Sequence, residues 1–108
     1  MNFEEFEQAL RKAISYAVEA GFEISAGVTV EGDKCCPIGA LKVEGCGLLP
    51  NNTAFYDYIT IARGFGLTID QARVFAHAFD DAPYRYRIAN EDEPFRALGV
   101  KMRKEFIA

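Results

Sequence analysis

The stretch Cys35-Cys36-Pro37-Ile38-Gly39-Ala40-Leu41 decides how this chain is read. Adjacent cysteines cannot bridge each other without straining the peptide between them, so the pair is a poor disulfide staple. Two readings remain. Either the pair supplies two small apolar side chains at a tight chain reversal, or it is a thiol site with chemistry of its own. The local structure is open in the same way. Cys35 to Val43 reads as a returning strand, or as a short helix with Pro37 at its first position, where the missing N–H costs nothing. The run is too short for periodicity to choose.

Upstream of this stretch, Val28-Thr29-Val30 favours a strand and Glu31-Gly32-Asp33-Lys34 has turn chemistry. Earlier still, Phe3, Phe6, Leu10, Ile14, Ala17 and Val18 recur at helical spacing, with Glu4, Glu7, Arg11 and Lys12 on the other face. Asn2 and Glu5 hold capping-box positions for this helix, and Gly21 stops it. Downstream, Gly45, Gly47, Pro50, Asn51 and Asn52 predict a loop. A helix carrying Phe55, Tyr58, Ile59, Ile61 and Ala62 then ends at Gly64-Phe65-Gly66. The next helix opens at Thr68, with Gln71 at the capping-box position, and buries Ile69, Ala72, Phe75, Ala76 and Phe79. Asp80-Asp81-Ala82-Pro83 ends it. A polar loop over 82–92 leads to a last helix from Asp92 or Glu93, with Pro94 in its first turn. That helix turns Phe95, Leu98, Met102 and Phe106 inward and sets Lys101, Arg103 and Lys104 near its C-terminal dipole end. The expected fold is mainly α, with α+β as the alternative. It is one compact domain, 1–108, of about four helices with an irregular or small β-hairpin insert at 22–50.

Composition narrows the classes of function. A chain of 108 residues, half of them hydrophobic, can bury a core without metal or disulfide help. The formal net charge of −4 argues against a duplex nucleic acid or an anionic membrane, which call for a basic footprint. No apolar run approaches the roughly 18 residues of a membrane span. The acidic start, Met1-Asn2-Phe3-Glu4-Glu5, lacks the positive and apolar regions of a secretory signal. Three cysteines form an odd, irregular set, which fits a reducing, cytoplasmic home.

Cys35, Cys36, Cys46 and His77 match a Cys₃His zinc set in number but not in spacing, because structural zinc sites place cysteines two to four residues apart. As a nucleophile, Cys35 or Cys36 at the start of a short helix would have its thiol pKa lowered by the helix dipole, and a pairing with His77 would activate it further, but nothing in the sequence brings His77 close. Small buried cysteines beside Ile38, Gly39, Ala40 and Leu41 explain the composition without chemistry. His77 precedes Asp80 and Asp81 by three and four residues, within reach on a helix face. Asp80, Asp81, Glu91, Asp92 and Glu93 flank a loop without the spacing of a cation site. Tyr84-Arg85-Tyr86-Arg87 is the candidate binding segment. Tyrosine and arginine are enriched at interface hot spots, and the bland alternative has the tyrosines packed on the domain with the arginines answering local carboxylates. Gly64-Phe65-Gly66 follows a helix, so it is a stop and not a phosphate loop.

The order C-C-P-x-G-A-L, Ala78-Phe79-Asp80-Asp81, Phe95-Arg96-Ala97-Leu98-Gly99 and a basic Arg103-Lys104 tail resembles that of small uncharacterised bacterial proteins, from residue 35 onward. The resemblance implies a bacterial intracellular protein and carries no functional residues. The expectation is a binding or regulatory module that uses a protein partner or its own copies, with no membrane or nucleic acid partner and no cofactor. No catalytic set is assigned; Cys35, Cys36 and His77 are the lesser candidates. The alternatives are a thiol-dependent enzyme or redox sensor using Cys35 or Cys36, and a small-ligand site between the 22–50 insert and the helices.

Overall fold

The computed structural model describes residues 3–44 and 54–107. Helix α1 spans Phe3–Glu19 and buries Phe6, Leu10, Ala13, Ile14 and Ala17, the expected stripe. Val18 departs from it. At 52% exposure it lies beyond the stripe's edge, and Ala13 takes its place in the core. Gly21, at φ +96°, provides the left-handed residue that turns the chain after the helix. The expected cap at Asn2 lies outside the described residues, as do Cys46 and the loop marked by Gly45 to Asn52.

Among its described residues the insert holds three two-residue strands, β1 (Glu23–Ile24), β2 (Val30–Glu31) and β3 (Lys34–Cys35), in the order β1-β3-β2. β2 and β3 form an antiparallel hairpin over Gly32-Asp33, with Gly32 at φ +60°, as primed turns require. β1 joins β3 in parallel, a strand that the sequence pattern did not reveal. Register sets Lys34 opposite both Glu23 and Glu31, a favourable cross-strand charge pattern. Cys35, opposite Ile24 and Val30, falls on the other face and is fully buried. Val28 and Thr29 stay outside the sheet.

The open choice at Cys35 to Val43 resolves into both elements in succession: β3 ends at Cys35, and helix α2 runs over Pro37–Glu44 with Pro37 first. α2 is a fifth helix beyond the four expected. Pro37, Ile38, Gly39, Ala40 and Leu41 are all buried, so it has no polar stripe over its first turn and a half. It lies against α1.

Helices α3 (Ala54–Phe65) and α4 (Ile69–Phe79) follow as a pair, joined through Gly66 at φ +67°. α4 carries the capping box that its sequence announces. Gln71 N–H donates to Thr68 Oγ1 at 3.1 Å, and Thr68 N–H donates to Gln71 Oε1 at 3.0 Å. A single 3-10 turn over Asn90–Asp92 leads into α5, Glu93–Phe106. α4 and α5 pack more extensively than any other pair of elements. Their crossing is close because Gly99 has no side chain, and a Cβ there would stand 2.5 Å from the Phe75 carbonyl oxygen. Arg103 of α5 donates to the Phe79 carbonyl at 2.7 Å, satisfying an acceptor at the end of α4. The core meets at Phe6, whose ring sits edge-on to Phe65 and Phe75 at 5.5 Å each and tilted to Phe95 at 5.8 Å. No helix among the described residues is long and apolar enough to cross a membrane.

Candidate functional site

The junction from β3 to α2 uses each residue of the Cys-Cys-Pro motif differently. Cys35 closes the central strand and points into the core. Cys36 is the cap of α2: its carbonyl accepts from Ala40 N–H at 2.8 Å, and its Sγ accepts from Gly39 N–H at 3.4 Å. Its own N–H donates to the Thr29 carbonyl at 3.2 Å, tying the helix start to the 27–29 loop. Pro37 then occupies the first helical position, and Gly39 lets the helix lie directly on Thr29. Both thiols are free and buried.

Two effects compete at Cys36. Its place at a helix start and the Gly39 N–H favour the thiolate. Burial opposes them, followed by the charge of Asp80, and burial wins: the thiol is pushed up from 9.0 to about 12. Cys35 is raised as well, by burial. Because the folded chain holds the Cys36 proton more tightly than the unfolded chain, unfolding releases it above pH 9. Stability is therefore expected to fall as pH rises from 9 towards 12. Denaturant midpoints on both sides of pH 9 check this. The fall should flatten in Cys36→Ala, and a midpoint that climbs through the range would contradict the burial of the thiol.

Cys36 also lines a cavity of about 120 Å³. Gly27, Val28 and Thr29 form one wall, and Cys36, Pro37 and Ile38 form a second. Tyr58 of α3 and Phe75, Ala76, Phe79 and Asp80 from α4 and its C-terminal cap complete it. It lies between the insert and the helices, where a cleft is expected from the sequence. Asp80 Oδ1 accepts from Gly27 N–H at 2.9 Å, fastening the loop to the end of α4. The sequence offers Asp80 as a helix end, a neighbour for His77 and a cation ligand, whereas the contact that defines its position spans 53 residues.

α4 keeps the thiols and the histidine apart. Phe75, Ala76, Phe79 and Asp80 face the Cys36 cavity, whereas Val74, His77, Ala78 and Asp81 face a second hollow of about 280 Å³. The contact that spacing offers His77 with Asp80 or Asp81 is not the one described. His77 Nδ1 lies 2.8 Å from the Arg73 carbonyl, and its ring stands 5.3 Å from that of Tyr84. Tyr84 is half-buried at the hollow's edge, where burial and then the charge of Asp70 raise its hydroxyl above the ordinary phenol value. Tyr86 is 65% exposed, edge-on to Tyr84 at 5.7 Å, with the Arg73 guanidinium 5.6 Å from its ring centre. Arg85 and Arg87 are exposed, and neither has an ion pair among the described residues. The packed tyrosine is thus found, but the arginines do not answer local carboxylates.

The remaining candidates separate. Glu93 is taken by Arg96, whose Nε donates to it at 2.6 Å, while Asp80 holds Gly27. Among the described residues, no three His, Cys, Asp or Glu side chains are grouped to hold a metal ion; Cys46 lies outside them. Fold and site together define a small, mainly helical domain with a three-stranded insert, a capped thiol junction and two hollows on either side of α4. Comparison with protein families, curated proteins and solved structures finds no match to this chain.

Proposed function

We propose that this chain is a small intracellular binding module that engages an acidic protein surface through Tyr84, Arg85, Tyr86 and Arg87. One observation carries the reading. Tyr84 anchors the segment on His77, and the next three residues are exposed, with two guanidiniums that have no ion pair among the described residues. Such a segment offers bidentate donors beside an exposed aromatic ring, and binding through the arginines breaks no ion pair among the described residues. The carboxylate-rich remainder of a second copy is one acidic surface; a different acidic protein is the other. The odd cysteine count supports a reducing, cytoplasmic setting, and the motif order resembles bacterial proteins. A thiol enzyme or redox sensor has less support, because both thiols are buried and Cys36 has been raised to about 12.

Arg85→Ala combined with Arg87→Ala should abolish partner capture, or self-association seen by light scattering, while the melting temperature stays within about 2 °C. Capture by the unaltered chain should also weaken as salt is raised. A strictly monomeric chain that captures nothing contradicts the proposal, as does capture that survives the double substitution.

A further inference from the structure

The cavity beside Cys36 has a chemistry separate from that of the Tyr84 segment. Most of its lining is apolar, with Val28, Ile38, Phe75 and Phe79 providing the bulk. Among the described residues its one charged lining group is Asp80, half-buried and within electrostatic reach of the Cys36 thiol. A carboxylate accepts at about four lone-pair positions, and the Gly27 N–H uses one of them. The walls are held firmly: Cys36 N–H is bonded to the Thr29 carbonyl, and Gly39 lies against the same residue. Size sets the next limit. An apolar cavity of about 150 Å³ admits benzene, a body of six non-hydrogen atoms, and this one is about 120 Å³. An anion is excluded by the carboxylate. A wholly apolar guest would strip water from Asp80 and return no hydrogen bond.

We propose that this cavity is a binding site for a small organic cation of about six non-hydrogen atoms in all, with an ammonium group against Asp80 and a compact apolar body between Val28, Ile38, Phe75 and Phe79. The ammonium gives Asp80 a charge-assisted hydrogen bond, the body fills the apolar walls, and no covalent step is involved. The site does not depend on the Tyr84 segment, so either proposal can fail alone.

The probe is 3-methylbutylamine, compared with 3-methylbutan-1-ol, its neutral counterpart of the same shape. Titrations of the full chain are followed through the amide resonances of Gly27, Cys36, Ala76 and Asp80. Saturable shifts at these positions are expected for the amine, with affinity at least about tenfold weaker for the alcohol. Asp80→Asn keeps an acceptor for the Gly27 N–H and should weaken the amine by a similar factor at an unchanged melting temperature. Ala76→Leu, which fills the cavity, should abolish binding. Equal affinity for amine and alcohol overturns the proposal. So does amine binding that survives Asp80→Asn, the absence of saturation in the unaltered chain, or shifts confined to Tyr84–Arg87.

Discussion

Gly39→Ala is expected to destabilise this chain by about 4 kcal/mol or more, at the far end of what single substitutions do. A Cβ at residue 39 would stand 1.7 Å from the Thr29 carbonyl oxygen and 2.6 Å from its carbonyl carbon. These are backbone atoms, so no side-chain rotation relieves the overlap. α2 must move away from the 27–29 loop instead. That movement breaks the Cys36 N–H bond to Thr29 and disturbs the Gly39 N–H cap on Cys36 Sγ. It also lifts Ile38, Ala40 and Leu41 from the core. Global stability of domains is only about 5–15 kcal/mol, so this one methyl group removes a large part of it. Gly64→Ala is the control. Residue 64 is also helical, a Cβ there meets nothing within 4 Å, and the substitution should stabilise by up to about 1 kcal/mol. Urea unfolding followed by circular dichroism compares the two. A loss below about 1 kcal/mol for Gly39→Ala would show that α2 does not rest on Thr29.

Phe6→Ala carries the second large effect, a loss of about 3–5 kcal/mol. Phe6 is fully buried on α1, and its ring touches those of Phe65 on α3, Phe75 on α4 and Phe95 on α5. Truncation leaves a cavity at the meeting point of four helices, none of which can close it without releasing other contacts. Edge-on ring pairs add about 0.5–1.5 kcal/mol beyond area burial, so a double-mutant cycle between Phe6 and Phe75 should show coupling of that size. Tyr16→Ala, on the half-exposed side of the same helix, should stay within about 0.5 kcal/mol. Independent effects of Phe6→Ala and Phe75→Ala would remove the aromatic cluster from its central place.

The helices that bury one face were legible in the sequence, and the helix that buries most of its surface was not. α1, α4 and α5 announce themselves because water on one side forces a polar stripe. Thr68 and Gln71 even mark the start of α4 to the residue. α2 begins with five buried positions in succession, so its apolar run is equally that of a buried strand. β1 escaped because its two residues gain strand character only from Lys34 and Cys35, eleven positions away. The place of the cleft between insert and helices could be foreseen. The role of Asp80 could not, since it depends on a bond to Gly27 across the fold. His77 is similar: its spacing offered Asp80 and Asp81, but backbone geometry gave its ring to the Arg73 carbonyl and Tyr84. Gly39 and Gly99 mark close backbone approaches that the sequence reading did not identify.

The central claim is that Cys35-Cys36-Pro37 builds a strand-to-helix junction, with the thiols serving as packing and cap. Residue-resolved alkylation of the native chain in a Cys46→Ser background tests it most directly. Moving the Cys36 thiol from 9.0 to about 12 cuts its thiolate fraction about a thousandfold. The junction predicts that Cys35 and Cys36 stay unmodified at neutral pH and react together only as denaturant unfolds the chain. Rapid, stoichiometric modification of either cysteine at neutral pH in the folded protein would contradict it.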